Sequence, residues 1–212
     1  MKKYIVEFIG TFFLILTIGC TVIAPGAGEM APLAIGSVLA VMIFAGGHIS
    51  GAHYNPAVTL AVTLRGKCTW NDAIAYWVAQ LFAAVAAAFT VQFLKGATAM
   101  AAVTAGAPNV PQALVAEFLF TFALCFMVLN VATAKGTAGN SFYGFAIGFT
   151  VLVGAYSVGA ISGGAFNPAV AVGISVLGLS VWANLWIFLV ANLTAAVVAA
   201  LVFKATNATD DV

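Results

Sequence analysis

Apolar residues run along this chain in six long blocks, separated by short clusters of Pro, Gly, Lys and Asn rather than by alternating polar positions. A hydrocarbon core of about 30 Å takes roughly 20 helical residues to cross. The blocks predict six spans, over approximately 4–24, 32–48, 72–94, 111–134, 142–160 and 181–204. The breaks fall at Pro25-Gly26, Lys67 to Asn71, Lys95 to Pro108, Lys135 to Asn140 and Gly178 to Ser180. Two apolar stretches, roughly 56–66 and 168–178, are too short to span: at about 1.5 Å per residue each rises about 15 Å, half the core. Each opens on the same triplet, Asn55-Pro56-Ala57 and Asn167-Pro168-Ala169. Asn is a strong helix N-cap and Pro suits the first helical position, so each triplet predicts a helix starting at mid-membrane. Two such half-helices meeting end to end form one composite seventh span. The segments before them, Gly46 to Tyr54 and Gly159 to Phe166, are expected to be non-helical. Such backbone survives in a membrane only when buried in protein or lining a water-filled cavity.

The triplets belong to a larger duplication. GHISGAHYNPAV at 47–58 and GAISGGAFNPAV at 159–170 share eight of twelve residues. VEFIGTF at 6–12 matches AEFLFTF at 116–122, Ala34-Ile35-Gly36 matches Ala146-Ile147-Gly148, and QLFAAVAAA at 80–88 matches NLTAAVVAA at 192–200. The halves are expected at roughly 1–105 and 106–204, within a single transmembrane domain covering 1–212. Each half holds three full spans. An odd number makes the second half enter from the opposite face, so the repeat is inverted and the half-helices approach from opposite sides. Lys2, Lys3, Arg65, Lys67, Lys135 and Lys204 fall on one side of this topology and Lys95 alone on the other, which predicts cytoplasmic termini; the expected location is the cell membrane. The stretch Tyr4 to Ala24 carries no convincing cleavage site and reads as a retained first helix. The sequon Asn207-Ala208-Thr209 would lie on the wrong side for glycosylation.

Composition narrows the class. The chain is 64% hydrophobic and 6% charged, with a mean hydropathy of +1.13, values that a water-exposed surface does not permit. A net charge of +1 without a basic run excludes nucleic acid as the expected partner. Cys20, Cys68 and Cys125 have no metal-ligand spacing, and no metal or other cofactor is expected.

The chemistry implied is that of a pore. With two half-helices facing N-terminus to N-terminus, both positive dipole ends point at the bilayer centre and repel a cation. Asn55 and Asn167 can cap their own helices through the side-chain oxygen and offer amide N–H groups to a passing oxygen. A water accepting from both would be oriented so that a proton wire is interrupted. Glu7 and Glu117 occupy matching repeat positions inside the membrane, where an unpaired carboxylate costs about 2.5–3.5 kcal/mol. They are expected to accept from the backbone N–H groups of the non-helical loops and so buttress them. Gly36 and Gly148, the latter closing a Gly144-xxx-Gly148 pair, predict a close helix crossing. His48 and His53 flank the first loop and are expected to bond its backbone.

Together the paired triplets, the SGxxxNPAV segment and the Glu-Phe pairs of the first and fourth spans resemble the aquaporin and glyceroporin (major intrinsic protein) family over nearly the whole length. The resemblance implies an all-α membrane fold of six transmembrane helices plus two re-entrant half-helices, and a homotetramer with one pore per subunit. It also exposes a departure. Most members carry Arg after the second triplet, in an outer aromatic/arginine filter; here that residue is Val170. In the family register the other three filter positions fall on Gly164, Ala155 and Ile35. Vacuolar-type plant members also place Val there, while the loop Asp of glyceroporins is missing, its place taken within Ala171-Val172-Gly173.

The function expected is passive conduction of water or small neutral solutes: glycerol, urea, ammonia, hydrogen peroxide or undissociated metalloid acids. No nucleophile, base and orienting partner converge, so an enzyme is not expected. The competing reading is a poorly conducting scaffold or junction protein, because an aliphatic constriction can dewet. The short tail, Ala205 to Val212, argues against it.

Overall fold

The computed structural model describes residues 1–207; Ala208 and Thr209 of the discounted sequon and the tail beyond them lie outside the described residues. Eight α-helices follow in order: α1 (Lys2–Val22), α2 (Ala31–Ser50), α3 (Pro56–Leu64), α4 (Trp70–Ala101), α5 (Val110–Thr133), α6 (Tyr143–Ser162), α7 (Pro168–Val176) and α8 (Leu185–Thr206). Six are long and apolar enough to span a membrane, and α3 and α7 are nine residues each. Helix is the element a chain of this composition requires in lipid, because it satisfies every backbone group within the segment.

Polar contacts at the helix ends establish two faces. Lys3 Nζ and Tyr4 Oη donate to Asp72 at 2.7 and 2.8 Å, tying the start of α1 to the start of α4. At their far ends Lys95 Nζ donates to the Ile23 carbonyl at 2.6 Å. Asn207 at the end of α8 reaches Asn130 at the end of α5, and Tyr156 of α6 donates to the Glu29 carbonyl before α2. Met1 and Asn207 lie on one face, the terminal face, and the opposite one is the distal face. α1 leaves the terminal face and its repeat counterpart α5 arrives at it, which is the inversion expected from three spans per half.

Packing follows the duplication. α1 pairs with α4 and α5 with α8, while α2 crosses α6 at the centre. Glycine makes that crossing close: a Cβ on Gly36 would lie 2.6 Å from Leu152 Cβ and 2.8 Å from the Gly148 carbonyl oxygen, and one on Gly148 2.8 Å from Ala40 Cβ. The half-helices are swapped between halves. α3 packs on α8 more extensively than on α4, and α7 on α4 more than on α8. The outward faces keep large apolar side chains such as Ile5, Phe82, Phe93 and Leu201 exposed, as a lipid-facing surface demands.

Boundaries depart from the sequence reading at both re-entrant loops and at the end of α4. The non-helical stretches before the triplets are far shorter than 46–54 and 159–166, because α2 runs to Ser50 and α6 to Ser162, each stopped by a glycine in the left-handed region, Gly51 at φ 86° and Gly163 at φ 97°. Only residues 51–55 and 163–167 turn back. α4 also outruns its expected end at 94, continuing to Ala101 past a break at Gly96, whose φ of 76° lets the last turn bend away.

Candidate functional site

Asn55 and Asn167 sit at the N-caps of α3 and α7 with extended backbone, φ −157° and −161°. Asn55 Oδ1 accepts from Ala57 N at 2.8 Å, and Asn167 Oδ1 from Ala169 N at 2.9 Å. Pro56 and Pro168 occupy the first helical position, where no N–H is needed. The two ends brace each other directly: Asn55 Nδ2 donates to the Phe166 carbonyl and Asn167 Nδ2 to the Tyr54 carbonyl, both at 2.9 Å. The oxygens cap as expected, but the expectation that the amide N–H groups all face the lumen is corrected. One N–H of each is committed to the opposite loop, and the second is left for a solute.

Each loop is held from behind by a fully buried glutamate. Glu7 accepts from Ser50 Oγ (2.7 Å), His53 N (2.9 Å), Tyr54 N (2.7 Å) and Gln80 Nε2 (2.8 Å). Glu117 accepts from Ser162 Oγ (2.7 Å), Ala165 N (2.9 Å), Phe166 N (2.7 Å) and Asn192 Nδ2 (3.1 Å). A helix end leaves N–H groups without intrahelical partners, and a carboxylate that accepts several is the strong way to satisfy them in a dry interior. Ser50, Ser162, Gln80 and Asn192 escaped the sequence reading as site residues. Their signal was present: all four lie in the duplicated segments at matching positions.

The histidines behave differently from expectation. His53 points its ring at a side chain, with Nδ1 3.1 Å from Thr59 Oγ1, and packs edge-on against Tyr76; His48 is exposed near the end of α2. Neither ring bonds loop backbone among the described residues.

A cavity of about 330 Å³ runs past both asparagines. Val170, Gly164, Ala155 and Ile35 all line it, so the four positions separated in sequence come together. Their repeat counterparts, Val58, Ala52, Ile43 and Ile147, line it as well. α1 and α5 add a further matched set, Leu14 with Leu124 and Ile18 with Val128, none of them singled out from the sequence. The walls are therefore aliphatic above and below a central polar belt. His53, Tyr54, Asn55 and Asn167 supply that belt, and Tyr54 Oη is already committed to the Met42 carbonyl at 2.9 Å. The positive ends of α3 and α7 face this belt from opposite sides.

Such a duct between two opposed half-helices is the site of a membrane channel. The family profile described as Major intrinsic protein matches residues 1–203, and the chain belongs to that family. It is 37% identical to "Aquaporin NIP1-3" of Oryza sativa subsp. japonica, over 99% of this chain and 75% of the relative. It is 33% identical to "Glycerol uptake facilitator protein-like 6" of Lactiplantibacillus plantarum, over 99% and 100%. Its fold superposes on the aquaglyceroporin from Plasmodium falciparum with a TM-score of 0.73, at 23% identity, covering 95% of this chain and 93% of the other. The protein is thus an integral, multi-pass membrane channel for water or small solutes, and members of its family are passive channels rather than enzymes.

Proposed function

We propose that the channel passes small uncharged solutes of glycerol and urea size as well as water, and excludes ions and protons at its asparagine belt. The observation that carries this reading is the distal end of the cavity, where Ile35, Ala155, Gly164 and Val170 present no charge and no side-chain donor. An Arg at position 170 would supply fixed donors and a positive charge, and would narrow the passage. Without it, rejection of cations rests on the two half-helix ends and on the cost of dehydration. Small donor-rich solutes, including ammonia, hydrogen peroxide and undissociated metalloid acids, fit an aliphatic passage with a polar centre. A relative named as a glycerol uptake facilitator supports a solute larger than water. The surrounding assembly in this reading is a homotetramer in the cell membrane. The terminal face, bearing Lys2, Lys3, Arg65, Lys67, Lys135 and Lys204, is cytoplasmic in line with the positive-inside bias.

Val170→Arg tests the reading. In proteoliposomes the variant is expected to lower the ratio of urea or glycerol flux to water flux by at least about tenfold, a barrier change of about 1.4 kcal/mol. Abundance and oligomer size are checked first, since a buried Arg with few acceptors nearby can destabilise the fold. A ratio at or above that of the unmodified channel, in a normally assembled variant, overturns the claim. The aliphatic lining also favours a second reading, a dewetted and poorly conducting scaffold. Absence of any osmotic response above that of empty liposomes would select it.

A further inference from the structure

The two ends of the duct are copies of one another in sequence, yet the distal one is open and the terminal one is narrowed. On the distal side the wall continues past the filter positions through Ala31, Gly159, Ile174 and Leu179. The repeat places Tyr143, Gly47, Val62 and Lys67 at the equivalent positions on the terminal side, and none of these four lines the cavity. There the lining ends at Ile43, Val58, Val128 and Ile147.

The exchange of Ala31 for Tyr143 sets a phenol ring at the terminal end. α6 lines the duct along Ile147, Val151, Ala155 and Gly159, one residue per turn. Tyr143 stands one turn before Ile147 on that stripe, so its side chain starts from the face that borders the duct. Gly47, one turn beyond Ile43, holds the matching place on the stripe of α2. The ring reaches it: a Cβ on Gly47 would lie 3.3 Å from Tyr143 Cε2 and 3.6 Å from Tyr143 Oη. A Cβ on Gly159, the counterpart of Gly47, would meet nothing within 4 Å. Space that is open at the distal mouth is therefore taken up by the phenol at the terminal one. Phe44 backs the phenol, with ring centroids 5.3 Å apart and planes at 68°. Phe44 is itself seated on Gly144, where a Cβ would stand 2.8 Å from Phe44 Cζ. That packing limits how far the Tyr143 ring can swing clear.

We propose that Tyr143 forms a second constriction, at the terminal mouth, and sets the largest neutral solute the channel passes. The proposal rests on the reading that the pore conducts small uncharged solutes. Constrictions in series add their resistances, and with an open aliphatic distal end the phenol is the part that selects by size. Its hydroxyl can also exchange a hydrogen bond with a passing solute, which the aliphatic side chains of the distal filter cannot.

The test compares fluxes of water, glycerol and the larger polyol xylitol in proteoliposomes, once abundance and oligomer size are matched. Tyr143→Ala should raise the glycerol to water and xylitol to water flux ratios by at least about threefold. Tyr143→Phe keeps the ring and should raise them less. Ala31→Tyr sets the same ring at the open mouth and should lower glycerol flux by about half, as two equal resistances in series require. Unchanged ratios in an assembled Tyr143→Ala overturn the proposal. Should that variant assemble poorly, unchanged glycerol flux in Ala31→Tyr overturns it instead. If the unmodified channel passes water but no glycerol while Tyr143→Ala passes both, the conduction reading fails and the constriction stands. If the unmodified channel passes glycerol and Tyr143→Ala alters neither ratio, the constriction fails alone. No osmotic response in either protein overturns both.

Discussion

The two re-entrant loops are copies of one motif, yet the first is tied down from more directions than the second. Residues 51–55 are held by Glu7 from α1, and the backbone on either side is held by α4, with Tyr76 Oη on the Ser50 carbonyl at 2.7 Å and Trp77 Nε1 on the Pro56 carbonyl at 3.1 Å. Thr59 adds a hydroxyl between His53 and Gln80. At residues 163–167 the support comes from Glu117, itself steadied by Asn192, and Thr59 has Ala171 as its counterpart. Asn192 turns its remaining N–H to Thr121 at 2.8 Å instead of to the half-helix. The residues at the shared left-handed position differ too. Ala52 sits at φ 51°, where its counterpart Gly164 has φ 63° at no steric cost. The first loop is built mainly to be rigid. The second has fewer side-chain ties to its neighbours, its support resting on the Glu117 cluster.

The largest expected effect comes from removing the buttress on the weaker side. Glu117→Leu strands Ala165 N and Phe166 N in a dry interior, at about 1–3 kcal/mol per donor. It should reduce assembled, heat-stable protein in detergent more than Glu7→Leu does, because the first loop keeps its ties to α4. Glu117→Gln retains an acceptor and should recover more folded protein than the Leu variant. Equal yields and melting temperatures for Leu and Gln at either position would end the buttress argument, and a more damaging Glu7→Leu would reverse the comparison.

The next effect is on permeation. Asn55→Asp removes the donor that supports the Phe166 carbonyl and sets a carboxylate against the positive helix ends. Asn167→Asp does the same to the Tyr54 carbonyl. Both should lower solute flux or admit cations, measured as urea flux and as sodium leak in proteoliposomes. The change should be larger for Asn55→Asp, because its carbonyl partner lies in the less supported loop. Unchanged flux and leak in both, at equal abundance, contradict a role for the asparagine belt.

The smallest effect tests the difference in residue at that left-handed position. Ala52→Gly relieves a left-handed alanine, worth about 1–2 kcal/mol, against an entropy cost of roughly 0.5–1 kcal/mol, so a melting temperature equal to or slightly above the original is expected. Gly164→Ala should be destabilising, since its new Cβ would stand 3.2 Å from Gly159 Cα at positive φ. A lower melting temperature for Ala52→Gly together with an unchanged or higher one for Gly164→Ala would overturn the argument from left-handed strain.

Span count, inversion and the two helix starts were legible because each depends on local properties: block length, an odd number of spans per half, and an Asn-Pro pair that caps a helix wherever it occurs. Glu7 and Glu117 stood out for a similar reason, since a charge in a 20-residue apolar block needs partners whatever the fold. The loop boundaries were less legible. Gly46, Gly47 and Gly159 read as breaks but are helical. Gly46 makes room for the Tyr54 ring and Gly47 stands beside Tyr143, and both are needs set by packing rather than by propensity.

What the tertiary structure alone decided lies in contacts between residues far apart in the chain. The asparagines brace each other's loops, α3 packs on α8 and α7 on α4, and the four aliphatic filter positions meet their mirror partners Val58, Ala52, Ile43 and Ile147 around one duct. Nothing in the local pattern of an apolar helix says which face looks into a duct and which into lipid, because both faces are apolar in a membrane. The face is chosen by how the inverted halves interlock.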